Sequence, residues 1–246
     1  MKKTFLLIIL LSSFSTFAQY SENTNFHHRI FVGTLFPLRV HAGYELQYKR
    51  LQINGFVGYM SHNYQNLVFE ILQKIKPDYR GELGYLKDFA SPKNQFGGEL
   101  KLDIGKGISI GATAQTFDAT ITDTPRGITA GILPENLVYI EGFLSNQPKA
   151  KDIYENKQVE AYMKTILVGP VLEKIFWLNP GKTLFIRTKL SYWFLADRKN
   201  DLNSQDFTPE EFIAIETFKP LFLRKIDKIS SQFQAPSLGL ELGISF

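Results

Sequence analysis

The chain has 246 residues, with 28 Lys and Arg against 24 Asp and Glu, a formal net charge of +4 and no Cys. The near balance of charge excludes nucleic-acid binding by bulk electrostatics, and the lack of Cys excludes disulfides and thiolate metal sites. Aromatic residues make up 14% of the chain, with 21 Phe and 11 Tyr, a content suited to a wall with interfacial girdles.

Lys2 and Lys3 precede an apolar run over 5–11, then serines, then a small-x-small site at Thr16-Phe17-Ala18. This is the signature of a secretory signal peptide, so cleavage after Ala18 is expected. Losing Lys2 and Lys3 takes the net charge from +4 to +2. The apolar run is too short for a spanning helix, which needs about 20 residues, and no later segment offers one. The expected organisation is a signal peptide over 1–18 and one β-barrel domain over 19–246.

Eight strands are expected, at 28–36, 39–49, 51–60, 94–104, 107–118, 157–178, 182–195 and 236–246, with ten as the alternative count. Apolar and polar residues alternate along them, as the period of two in a strand requires. In the second, Val40, Ala42, Tyr44, Leu46 and Tyr48 oppose His41, Gly43, Glu45 and Gln47. In the last, Leu238, Leu240, Leu242, Ile244 and Phe246 oppose Gly239, Glu241, Gly243 and Ser245. The sixth contains Gly169-Pro170, where a bulge or bend is expected because Pro cannot donate to a ladder.

The connections differ in length. Lys49-Arg50, Gly105-Lys106-Gly107 and Asn179-Pro180-Gly181 read as tight turns, whereas 61–93, 119–156 and 196–234 are long. Short turns on one rim and long loops on the other is the asymmetry of outer-membrane barrels. The same alternation would suit a soluble lipocalin-like barrel with its apolar face inside. Strands of about ten residues favour the membrane, because that length suits a tilted crossing. So do the aromatics near strand ends: Tyr48, Tyr59, Trp177, Tyr192, Phe194 and Phe246.

Taken together, the leader through Ala18, the strand and turn rhythm and the ending Gly243-Ile244-Ser245-Phe246 resemble the small Gram-negative outer-membrane β-barrel superfamily, of OmpX-like or OmpA transmembrane-domain type. The resemblance implies an all-β, up-and-down antiparallel transmembrane barrel in the cell outer membrane, with three long, partly helical extracellular loops. It further implies insertion by the barrel-assembly machinery, with Ile244 and Phe246 as the assembly signal. Glu241 departs from that pattern, which usually has Gly there. The resemblance says almost nothing about activity, since one fold hosts many functions.

With the apolar face toward lipid, Arg29, His41, Glu45, Glu99, Lys101, Asp103, Arg187, Lys189 and Glu241 point inward. An eight-stranded interior is just wide enough for side chains, so these residues are expected to form an ion-paired plug. Glu241 should lie near Arg187 or Lys189, or near Arg29 across the closing seam. A path for protons or small ions is the competing reading of the same residues.

The long loops carry apolar residues at helical spacing. Residues 66–75 read as an amphipathic helix through Leu67, Ile71, Leu72 and Ile75, and Thr208-Pro209-Glu210-Glu211 reads as a helix start. After it come Phe212, Ile213, Ile215, Phe218, Leu221, Phe222 and Leu223, expected either to pack as a cap or to dock another outer-membrane or surface protein. Arg198, Lys199, Lys219, Arg224, Lys225 and Lys228 are candidates for lipopolysaccharide phosphates at the rim. Ser61-His62-Asn63 is the nearest approach to a lipid A deacylase site, and adjacent residues on opposite faces weaken it. His27-His28 lacks a spaced third ligand, so neither a metal nor a cofactor is expected. The reading is a non-enzymatic scaffold or accessory subunit, with a lipopolysaccharide-interacting barrel or lipid A-modifying hydrolase as the alternative.

Overall fold

A computed structural model describes residues 26–36, 39–75, 77–92, 94–203, 208–231 and 234–246. The expected signal peptide lies outside these residues. The strands are β1 (Phe26–Phe36), β2 (Arg39–Tyr48), β3 (Leu51–Tyr59), β4 (Ala90–Pro92), β5 (Gln95–Gly105), β6 (Ile108–Asp123), β7 (Val159–Trp177), β8 (Leu184–Asn203) and β9 (Gln234–Ser245). All but β4 form one antiparallel ladder in the order β6-β5-β3-β2-β1-β9-β8-β7, and β6 pairs β7 to close it. The result is an eight-stranded up-and-down barrel. At the seam, His28 and Phe246 exchange both backbone hydrogen bonds, at 3.0 and 2.9 Å.

The registers fix the stagger. From Ile244 the pairing runs through Ile30, Tyr44, Gly55, Gly98, Ala114, Val168 and Phe194 and returns to β9 at Gln234, a shift of ten residues. Such stagger tilts the strands and leaves an interior that side chains fill.

Polarity is inverted relative to a soluble protein. Val32, Val40, Ile53, Phe96, Leu100 and Leu238 are exposed on the outer wall, while Glu45, Lys101, Arg187 and Glu241 are buried. Exposed apolar surface costs roughly 25 cal/mol per Å² in water, a cost that a lipid environment removes. Together the closed ladder and this polarity define a transmembrane barrel of the outer-membrane type. Tyr48, Tyr59, Tyr192 and Phe194 are exposed on the outer wall, as girdle residues should be. Trp177 is an exception. It follows the inward parity of β7 and meets the lumen ring of Phe185 at 5.7 Å, edge to face.

The tight turns join β2 to β3, β5 to β6 and β7 to β8. Each carries a residue at positive φ: Lys49, Lys106 with its flanking Gly105 and Gly107, and Lys182. The third turn is therefore built on Lys182 rather than Gly181. The Asn179 carboxamide braces it by accepting from the backbone N–H of Thr183 and Leu184, at 3.0 and 2.9 Å.

The β7–β8 ladder skips Gly169 and Pro170, between Val168–Phe194 and Val171–Ser191, but the expected bulge lies elsewhere. Alternation in β7 runs unbroken from Val159 to Trp177, with Pro170 on the outer wall. Ile166 pairs Asp197 while Leu167 pairs Leu195, so the extra residue is Ala196 of β8. Gly169 instead answers a close approach, because a Cβ there would lie 1.8 Å from the Tyr192 carbonyl oxygen.

The bulge has a structural consequence. It reverses the parity of β8, so the even-numbered Leu202 faces inward beside Ala161. Strands β6 and β8 run longer than expected, β7 stays within its expected span, and the three project together past the outer rim, with β4 added along β6 at Ala90 and Ile121. Helices pack on this platform: α1 (His62–Ile75), α2 (Arg80–Phe89), α3 (Pro125–Ile132), α4 (Leu137–Leu144), α5 (Pro148–Asn156) and α6 (Pro209–Ser231). Helix α6 starts at Pro209, as the Thr-Pro signal predicts. Helix α3 uses the same device, with the Thr124 hydroxyl accepting from Gly127 N–H at 3.0 Å and Pro125 in the first turn. The helices and the platform share one apolar core, which includes Ile121, Ile128, Ile140, Tyr154, Leu202 and Phe222.

Candidate functional site

Two places can carry function: the lumen and the helical cap. Strand parity puts every expected charge of the lumen set on the inner face. Glu45 accepts from Arg29, Lys101 and Arg187, each at 2.6 Å. Lys101 lies 3.4 Å from Glu99, Glu99 lies 2.8 Å from Lys189, and Lys189 lies 2.9 Å from Glu241. Glu241 meets Arg187 at 2.5 Å, which returns the circuit to Glu45. The six residues form a closed ring of alternating sign. Glu241 takes its partners from the neighbouring β8, where Arg187 sits directly opposite it. His41 joins through Nε2 to Glu241 at 2.8 Å.

Asp103 stands apart. It is half-buried at the β5–β6 turn, where it accepts from Gly105 N–H at 2.7 Å and stays 3.5 Å from Gln47 Nε2. Sequence reasoning missed Glu173, which lies 2.6 Å from Lys101 and 3.6 Å from Arg187 and so braces the ring. It also missed Arg39, fully buried above the ring and stacked over Phe56 at 3.9 Å. Both were available from parity, since Arg39 shares a face with His41, and Glu173 with Val171.

The ring fills a cross-section that eight strands leave only wide enough for side chains. Its charges are fully sequestered, and such pairs persist only when each ion is matched. The arrangement suits a rigid plug.

In the cap, Ile215 and Phe222 are fully buried, and Leu221 and Leu223 pack against the same core. These four expected docking residues are occupied inside the cap, because the turns of α6 that carry them lie on the strand platform. The side chains of Phe212, Ile213 and Phe218 lie outside the described part. Exposed apolar surface occurs instead on α4, where Val138, Tyr139 and Phe143 are 81%, 69% and 49% exposed while Ile140 and Leu144 anchor the helix beneath them.

Half of the cations considered for lipopolysaccharide are engaged within the cap. Arg198 pairs Asp227 at 3.1 Å and Lys219 pairs Asp201 at 3.4 Å. Lys225 meets Glu82 at 2.9 Å and Glu135 at 3.1 Å. Burial, the largest influence on Lys225, lowers its pKa, but the hydrogen bonds and charges of the two carboxylates outweigh it and hold the group above the ordinary lysine range. Burial, reinforced by a hydrogen bond to Asp123, likewise pushes the Tyr85 phenol up. Lys199, Arg224 and Lys228 are exposed.

Ser61 and His62 do not form a nucleophile and base. The Ser61 hydroxyl accepts from Tyr64 N–H at 3.3 Å, and its carbonyl accepts from Gln65 N–H at 2.9 Å, so it caps α1, with His62 exposed on the first turn. His28 bonds the Tyr44 hydroxyl and stacks on Phe246 at 5.8 Å. Among the described residues no group of three or more His, Asp or Glu side chains is arranged to hold a metal ion.

No protein-family model matches the sequence, and no curated protein matches it. Among solved structures, the chain is similar to the N-terminal β-barrel domain of Pseudomonas aeruginosa OprF, at 9% identity over 91% of this chain and 98% of that one, with a TM-score of 0.33. It is similar to Acinetobacter baumannii CarO at 9% identity, over 89% and 97%, with a TM-score of 0.36. It is also similar to Ail, the attachment invasion locus protein of Yersinia pestis, at 8% identity, over 90% and 95%, with a TM-score of 0.32. Likeness at this level leaves function open; the closed ladder, its stagger and the inverted polarity define the barrel without it.

Proposed function

We propose that this protein is a non-enzymatic outer-membrane scaffold or accessory subunit whose plugged barrel holds a folded cap out to a protein partner. The observation that carries the reading is the stripe of Val138, Tyr139 and Phe143 on α4. Three large apolar side chains exposed on a short helix that is already anchored through Ile140 and Leu144 have no role in folding the cap. Contiguous apolar exposure on a rigid scaffold marks an interaction surface. The cap suits presentation because one core spanning helices and strand extensions holds α4 in place. In this reading Ile244 and Phe246 serve assembly: Ile244 lies in β9 and Phe246 directly follows it, where the chain closes the seam against β1.

The test is purification from outer membranes in a mild detergent, with native mass measurement. The wild type is expected to retain a stoichiometric protein, and the triple variant Val138→Ser, Tyr139→Ser, Phe143→Ser to lose it while keeping its folded spectrum. A wild-type barrel that carries only lipopolysaccharide, or a triple variant that keeps the protein in full, would overturn the reading.

A further inference from the structure

The buried charges of the barrel do not balance. Among the described residues, the buried charges of the inner face are Arg29, Arg39, Lys101, Arg187 and Lys189 against Glu45, Glu99, Glu173 and Glu241, five cations against four carboxylates, with Asp103 only half-buried at the opposite rim. The network consumes four of the cations. Arg39 is the one left over. Its side chain is fully buried, and Nε, Nη1 and Nη2 all lack a hydrogen-bond partner. Its close neighbours are ring faces, Phe56 at 3.9 Å and Trp193 at 5.9 Å. Stacking on rings supplements a guanidinium but satisfies none of its five N–H donors.

The surroundings of Arg39 are rich in donors. With a stagger of ten, the registers put Gln115 and Trp193 nearly level with Arg39 and put Thr113 and Ser191 just below it. Both polar atoms of the Gln115 carboxamide and the hydroxyls of Thr113 and Ser191 are buried without partners. Each can donate. The side chain of Arg39 is also positioned for this layer: a Cβ on Gly58 would lie 2.4 Å from Arg39 Cδ, so glycine gives the stem its course.

We propose that the upper lumen, between the ion ring and the cap, binds a small monovalent anion of halide or acetate size on Arg39, with Gln115, Thr113 and Ser191 supplying further donors. One negative charge brings the buried count to parity. Water can satisfy donors but cannot neutralise the charge, and an unmatched buried charge is the costly case. A guanidinium fork suits a carboxylate in two-point contact and a halide in its cleft. The ring of Glu45, Lys101, Glu99, Lys189, Glu241 and Arg187 closes the lumen beneath the site, so exchange takes place from the cap side.

The experiment has two parts. Crystals of the full barrel are soaked in bromide, and an anomalous peak in contact with the Arg39 guanidinium is expected. Separately, the folded protein in detergent is unfolded in chloride or acetate and in a bulky sulfonate at the same ionic strength. Above saturation the apparent folding constant of the wild type should rise about tenfold for each tenfold rise in chloride or acetate, while the sulfonate gives a flat response. Arg39→Met, which keeps a chain over Phe56, should lose the anion dependence. No bromide at Arg39, equal responses to all three salts, or an undiminished anion response in Arg39→Met would each overturn the proposal. If Arg39→Met does not fold, the soak and the wild-type titration still decide the matter.

Discussion

Removing Arg187 tests whether the lumen is a matched plug. Its guanidinium lies 2.6 Å from Glu45, 2.5 Å from Glu241 and 3.6 Å from Glu173, and all four side chains are fully buried. Arg187→Met keeps much of the volume and leaves the four carboxylates of the contacting network facing only Arg29, Lys101 and Lys189, since Arg39 is stacked on Phe56 outside it. Breaking a buried ion pair from one side costs about 3–5 kcal/mol, because the remaining charge stays in a low-dielectric site. Against a typical stability of about 5–15 kcal/mol this is a large fraction. Adding Glu241→Gln restores equal numbers of both signs within the network, and the double variant should recover at least half of the loss. The assay is urea unfolding of the folded barrel in lipid vesicles, followed by tryptophan fluorescence. It is well placed, because the two tryptophans of the chain, Trp177 and Trp193, both sit on the lumen side. A single variant within about 1 kcal/mol of wild type, or a double variant that loses the sum of both single costs, would refute the matched-ring argument.

Other parts of the structure make separate predictions. Gly169→Ala should cost about 3 kcal/mol or more in the same unfolding assay, since its Cβ would overlap the Tyr192 carbonyl, whereas Gly55→Ala, with nothing near its Cβ, should be nearly neutral. Phe222→Ala should cost the cap about 3–5 kcal/mol and expose it to limited proteolysis while the barrel fragment survives; an unchanged digestion pattern would count against a single cap core. The cap should also loosen in alkali. Tyr85 and Lys225 both have folded pKa values above their unfolded ones, so their contribution is whole below about pH 10 and drains as pH rises past it. The protection of α2 and α6 against hydrogen exchange, taken relative to the base-catalysed intrinsic rate, should then fall above about pH 10, and unchanged protection there would contradict the burial assigned to these two groups.

How much was legible in the sequence depended on how far a simple period extends. The inward set from Arg29 to Glu241 follows from parity alone, because a charged residue on the inner face of a narrow barrel can go nowhere but the lumen. Glu173 escaped because a bend read into Gly169-Pro170 cuts the strand before its parity reaches 173; Pro170 instead sits on the lipid wall and leaves the alternation intact. The bulge at Ala196 carries no Gly or Pro signal. Among the loop helices, the longer stretches were readable. Helices α3, α4 and α5 have eight or nine residues each and bury few positions, too little for a clear helical period. Whether an apolar stripe packs inward or docks outward is set by its neighbours, which is why Ile215 and Phe222 proved to be core while Val138 and Tyr139 are exposed.

The lumen and the cap are joined through one strand. From its inner end outward, β8 supplies Arg187 and Lys189 to the ion ring, Trp193 to the layer beside Arg39, the bulge at Ala196 and Leu202 to the cap core. Without the bulge, Leu202 would point outward and the platform would lose a buried side chain next to Ala161. A strand fixed at its inner half by paired charges is a rigid post for whatever packs on its outer half. In the proposed function the part of the plug is mechanical: it stiffens the strand that positions the cap. If that is so, Arg187→Met should increase proteolytic access to the cap as well as lower barrel stability, and Phe222→Ala should leave the unfolding of the barrel below Trp193 nearly unchanged.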